Sequence, residues 1–233
     1  MALTKLGFTN VTILFDAESK KLFDQATFLP QIKTSNQTDL VADLFCALDM
    51  PSLNRLGIFS ETFKRAKRTL VIDHHPDFSL KANAVYSIPE YSSTCELIFN
   101  ILNKLKLLDS PIATALYIGM RADTVNFRTL MTPNTMRAAA ECLKYNIDEQ
   151  VIYDLELRVS DAQFNVFSSA YAKTKCENGL KIVVLNEEEL VKNNIPISNA
   201  KSMAIEVYKL IDGIVGPATW PLIQSLDTGR NLP

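Results

Sequence analysis

Apolar positions in the first half of the chain fall in short runs, at Val11 to Phe15, Leu40 to Leu48 and Thr69 to Ile72, each followed by a polar stretch. Runs this short, rich in β-branched and aromatic residues, predict strands, and their alternation with helical periodicity predicts a parallel α/β layer. Between the second and third runs, Ile58 to Lys67 is polar enough for a surface helix or loop. From Thr94 to Leu107 the period changes. Leu97, Ile98, Ile101, Leu102 and Leu105 fall on one face of an amphipathic helix. Ser93 reads as its N-cap, with Glu96 three residues on expected to complete a capping box. Helices are also predicted over Ile112 to Met120, Pro133 to Lys144, Glu149 to Leu157 and Asp161 to Lys173, with Thr132 capping the helix that Pro133 opens. The turn Glu177-Asn178-Gly179 leads to a strand over Lys181 to Leu185, and Asn199 to Leu210 reads as a helix. A strand and helix after a helical stretch predict a second, smaller domain beginning near Asn178.

Composition adds exclusions. With 47% apolar and 21% charged residues the chain is an ordinary globular sequence, and a net charge of −2 gives no basic field for gripping long duplex DNA. Any nucleotide it handles is expected to be short. The four cysteines, Cys46, Cys95, Cys142 and Cys176, form no C-x-x-C pair, which argues against a zinc site or a disulfide framework. No apolar run reaches the roughly 18 residues of a membrane span, and no secretory leader follows Met1, so no membrane partner and a cytoplasmic location are expected.

Two apolar runs end in an acid, at Asp49 and Asp73, and the only two histidines, His74 and His75, follow Asp73 directly. Sites in open α/β sheets lie outside the carboxyl ends of parallel strands, so these groups are placed to converge on one crevice. An acid after a strand serves equally as a cap or turn residue. Two such acids with both histidines in one short segment favour a metal site, and imidazole beside carboxylate suits Mn²⁺ or Fe²⁺ better than Mg²⁺.

Ile72-Asp73-His74-His75-Pro76 resembles the signature of the DHH phosphoesterases, the RecJ-like metal-dependent hydrolases, and its neighbours agree in order. Ala47-Leu48-Asp49 with Asn54-Arg55-Leu56-Gly57 is similar to the second acidic motif, and Tyr91-Ser92-Ser93-Thr94-Cys95-Glu96 to the serine-threonine helix start. Ala122-Asp123-Thr124-Val125-Asn126-Phe127-Arg128 resembles a Thr-Asp-Thr-Gly-x-Phe-Arg motif, followed by Thr132-Pro133-Asn134-Thr135. The resemblance implies Asp49, His74 and Asp123 as metal ligands, Asp73 and His75 as catalytic groups beside them, Mn²⁺ or another divalent ion as cofactor, and no separate organic cofactor. It also implies hydrolysis of phosphate esters in short oligonucleotides, cyclic dinucleotides or pAp, and allows a homodimer. A nucleotide- or protein-binding remnant without turnover, or a pyrophosphatase, would share the same motifs.

The opening His-x-x-Pro-Asp-x-Asp-type strand of that family has no counterpart here, and Leu3 to Phe8 reads as the end of the helix that follows it. The Gly-rich accessory loop is likewise missing, with only seven glycines in the chain. The expectation is an α/β protein: an incomplete parallel-sheet DHH domain over 1–150, a helical linker over 151–177, part of a smaller accessory domain over 178–214 and a divergent tail over 215–233, with weak or no turnover for the chain as written.

Overall fold

A computed structural model describes residues 1–15, 33–156, 159–177, 180–182, 185–200 and 203. The chain packs as two units, Met1–Leu157 and Arg158–Pro233.

The first unit opens with helix α1 (Ala2–Lys5), followed by strands β1 (Thr12–Leu14) and β2 (Lys33–Ser35), which pair in parallel. A three-stranded parallel sheet carries the site, in the order β3 (Phe45–Leu48), β4 (Thr69–Asp73), β5 (Ala84–Ser87). Leu48 pairs with Ile72, and Asp73 with Ser87, so the strands end nearly level. Parallel neighbours need a crossover, and here it is a 3-10 segment (Leu53–Phe59) running into helix α2 (Ser60–Arg65). Gly57 kinks the 3-10 segment from within, with φ 52 and ψ −127, a conformation that the missing Cβ permits. The stretch expected to be surface helix or loop therefore contributes to the core: Thr62 and Phe63 are buried. Phe63 packs with Ala47, Leu56, Val71 and Leu80 against the sheet.

A second core lies among three helices, α3 (Thr94–Lys104), α4 (Ser110–Asp123) and α5 (Pro133–Leu143). Phe99, Leu102, Ile112, Leu116, Met120 and Ala138 meet there, each large apolar side chain contributing about 1.5–3 kcal/mol on burial. The caps agree with the sequence for α5, where Thr132 and Thr135 form a reciprocal box with Pro133 in the first turn. Two details of α3 differ. Leu105 follows the last helical residue and is 53% exposed, so the buried face turns instead to Phe99 and Glu96. Ser93 does cap Glu96 N–H at 3.0 Å, but Glu96 reaches past Ser93 to accept from the Ser92 N–H, so the reciprocal half of the box closes one residue early.

Helix α6 (Glu149–Glu156) closes the first unit. In the second, helix α7 (Asp161–Ala172), which the sequence reading assigns to a linker, packs Val166, Phe167 and Ala170 against Leu190, Ile195 and Met203. An antiparallel hairpin follows, β6 (Lys175–Glu177) with β7 (Leu180–Ile182), and then helix α8 (Glu187–Lys192). The expected helix over Asn199 to Leu210 and the tail from 215 lie largely outside the described residues. Among the described residues no helix is long and apolar enough to cross a membrane.

Candidate metal centre

Strand β3 extends its ladder by one bond, Asp49 N–H to Ile72 C=O at 3.0 Å, and then turns sharply. Asp49 takes φ 62, a left-handed conformation that Asp and Asn tolerate better than most residues. The turn aims its carboxylate back across the strand ends, where the Thr94 hydroxyl donates to Oδ1 at 2.7 Å. Strand β4 ends on Asp73, whose side chain is fully buried. Its Oδ1 accepts from the His75 backbone N–H at 2.6 Å and lies 3.1 Å from His75 Nδ1. Asp73 thus shapes the turn that carries both histidines, and the imidazole it orients is that of His75.

His74 is held differently. Its Nδ1 stands 3.3 Å from the Tyr91 carbonyl. A carbonyl only accepts, so Nδ1 bears the hydrogen and the neutral ring presents a lone pair at Nε2. That Nε2 lies 3.6 Å from Asp49 Oδ1 and 3.8 Å from Asp123 Oδ2. Two donors each about 2.0–2.2 Å from a shared ion stand at most about 4.4 Å apart, so His74 Nε2 is close enough to share a cation with either carboxylate. The chemistry fits as well: in the neutral His74 ring with the hydrogen on Nδ1, the Nε2 lone pair faces both carboxyl groups, and Asp123 closes α4 at the negative end of the helix dipole. The Asp123 carboxyl is held above the ordinary carboxylate range, chiefly by burial and then by the charge of Asp49, with His74 and His75 pulling it down.

Among the described residues, the trio whose donor atoms all lie within 4.8 Å of one another is Asp49, His74 and His75. His75 Nδ1 is 3.8 Å from Asp49 Oδ1 but is already engaged by Asp73. Asp123 stands beside this trio, with its Oδ2 3.8 Å from His74 Nε2. Cys95 sits close to both acids, yet burial, then the charges of Asp123 and Asp49, push its thiol up to about 12, so it stays protonated and does not compete as a thiolate.

The five residues singled out from the sequence thus gather at one sheet edge. Thr94 and the Tyr91 carbonyl were not assigned a role there, although both lie in the quoted serine-threonine segment. Their signal was a hydroxyl at a helix N-terminus facing the strand ends.

After Asp123 the chain makes an unusual turn: Val125, Asn126 and Phe127 take φ 49, 58 and 58 in succession. Val125 stands where the resembled motif has glycine. The turn is closed by Asn126 N–H to Arg121 C=O at 2.7 Å and by Phe127 N–H to the Thr124 hydroxyl at 3.0 Å. A left-handed residue costs about 1–2 kcal/mol, more for a β-branched one. Val125→Gly is expected to raise stability by up to about 1 kcal/mol after the added chain entropy, measured by denaturant unfolding. An unfolding midpoint below that of the parent would show that the turn carries no such strain.

Residues 5–120 match the family model described as DHH family, N-terminal domain. An uncharacterized protein of Mycoplasma genitalium is 25% identical over 214 residues, covering 91% of this chain and 58% of that protein. Its Mycoplasma pneumoniae homologue is 24% identical over 183 residues, covering 78% and 50%. This chain therefore spans about half the length of the curated relatives it matches. Among solved structures, an exopolyphosphatase-related protein from Bacteroides fragilis superposes with a TM-score of 0.65 at 21% identity, covering 82% of this chain and 55% of that one, a likeness of fold.

Proposed function

We propose, from the premise that residues 5–120 of this chain belong to the DHH family N-terminal domain, that Asp49, His74 and Asp123 hold a divalent ion, Mn²⁺ by preference, for hydrolysis of phosphate esters. The observation that carries the reading is that His74 Nε2 lies 3.6 Å from Asp49 Oδ1 and 3.8 Å from Asp123 Oδ2, while its Nδ1 faces the Tyr91 carbonyl. Imidazole beside two carboxylates favours Mn²⁺ over Mg²⁺. When bound, such an ion supplies positive charge to phosphate oxygens and acidifies water.

The chain's own groups do the rest. Thr94 keeps Asp49 Oδ1 directed at the crevice, and Asp73 holds the His75 proton at Nδ1, leaving Nε2 as that ring's acceptor beside the reacting phosphate. The net charge of −2 supports a short substrate, namely a short oligonucleotide, a cyclic dinucleotide or pAp.

Calorimetric titration with Mn²⁺ is expected to show one weak binding event, absent in His74→Ala, because the donors among the described residues suffice for one ion. Turnover of pAp or a dinucleotide by this chain is then expected to lie well below the enzyme median of about 10 s⁻¹. A chain that ignores Mn²⁺ altogether would end the metal reading, and cleavage of pyrophosphate alone would move the reaction from esters to anhydrides.

A further inference from the structure

Glu96 is fully buried in the first turn of α3, where its Oε2 collects three donors: the Ser92 N–H at 3.2 Å, the Ser92 hydroxyl at 2.7 Å and the Thr135 hydroxyl at 2.9 Å. Its Oε1 has no hydrogen-bond partner. Capping alone does not explain so costly a group, since the Ser93 hydroxyl already supplies the N-cap bond, to the Glu96 N–H.

The peptide between Tyr91 and Ser92 supplies the explanation. Its N–H is the group that donates to Glu96, and its C=O is the group that accepts from His74 Nδ1. The bond is trans, so within this rigid plane the two groups point in opposite directions. Fixing one fixes the other. Two residues on, the same segment places the Thr94 hydroxyl on Asp49. Through Thr135 the carboxylate also ties this segment to the start of α5.

We propose that Glu96 is a positioning residue that locks the Tyr91–Ser92 peptide plane and thereby fixes the tautomer and direction of His74. The geometric part stands on the hydrogen bonds alone. The consequence for metal binding rests on the reading of His74 as a ligand. Groups that orient a ligating imidazole from behind are typically worth about 10–100-fold in metal affinity.

The chain has only two histidines, so protein labelled with ¹⁵N at histidine carries two imidazoles, assignable with His74→Ala. Metal-free spectra at a pH well above the ordinary imidazole range read the tautomer of each ring. The parent is expected to show His74 as the Nδ1–H form. In Glu96→Met, His74 should move toward a mixture of tautomers, His75 should stay put because Asp73 holds it, and Mn²⁺ affinity should fall about 10–100-fold. Glu96→Gln, which keeps an acceptor oxygen, should restore both the spectrum and the affinity, a rescue that a merely structural role does not predict. If the methionine variant fails to fold, Glu96→Asp, which shortens the reach by one methylene, is expected to shift His74 in the same direction. A folded Glu96→Met protein, or failing that a folded Glu96→Asp protein, with the parent His74 tautomer would overturn the inference and leave the metal reading intact. A tautomer shift in a chain that never binds Mn²⁺ would do the reverse.

Discussion

Asp49→Asn is expected to remove measurable Mn²⁺ binding while leaving the metal-free protein as stable as the parent or more so. Asparagine keeps the shape, the tolerance of φ 62 and an oxygen for the Thr94 hydroxyl, and it deletes only the charge. Loss of a direct ligand should exceed the roughly 10–100-fold effect of an outer partner. The stability arm follows from Asp123, whose carboxyl is raised by burial and then by Asp49. A carboxyl whose pKa is raised on folding binds its proton more tightly in the folded state, so its cost is present at neutral pH and disappears in acid. Deleting the Asp49 charge lowers that cost, and any gain in melting temperature should shrink as pH falls through the Asp123 range. Thermal melts of both proteins across pH, with and without Mn²⁺, make the check. A variant that keeps parental affinity would remove Asp49 from the ligand set.

Gly119→Ala is expected to destabilise the first unit by about 1–3 kcal/mol, although alanine in place of glycine within a helix ordinarily stabilises by about 1 kcal/mol. Gly119 lies inside α4, and a Cβ there would stand 2.1 Å from Cys95 Sγ and 3.1 Å from Cys95 Cβ. The half-buried Cys95 side chain lies against Gly119, so the helices must part or the sulfur must leave its place. Both elements serve the site, since α3 begins with Thr94 and α4 ends with Asp123. Cys95→Ala should therefore rescue much of the loss, giving a favourable coupling in a double-mutant cycle by chemical denaturation. Simple additivity of the two changes would mean that the two helices do not depend on this contact.

Much of this arrangement is legible in the sequence because buried parallel strands and amphipathic helices write their periods plainly. The runs ending at Leu48 and Ile72, and the helices opened by Ser93 and Thr132, are cases where pattern and cap chemistry agree. Strands β2 and β5 were not visible. The residues of β5 are mostly exposed, and it is held by its ladder to β4 rather than by an apolar face of its own. Asp49, His74 and Asp123 could be named from their motifs, but their meeting depends on the level strand ends and on the packing of α4. The early closure of the α3 box escaped the sequence for a geometric reason. A glutamate at that position can reach either of two successive N–H groups, and only the path of Tyr91 to Ser93 decides which.

The placement of Asp123 at the end of a helix docked through Gly119 also bears on how the protein folds. The three proposed donors come from distant parts of the chain, so a species with the sheet formed and α4 undocked would offer a cation Asp49 and His74 but not the third group. Contacts of such long range are closed late and slowly. A bound ion would act as a clasp fastened at the last step, adding about 2.7 kcal/mol at a hundredfold excess over its dissociation constant and slowing the reopening of α4 rather than hastening the collapse of the sheet.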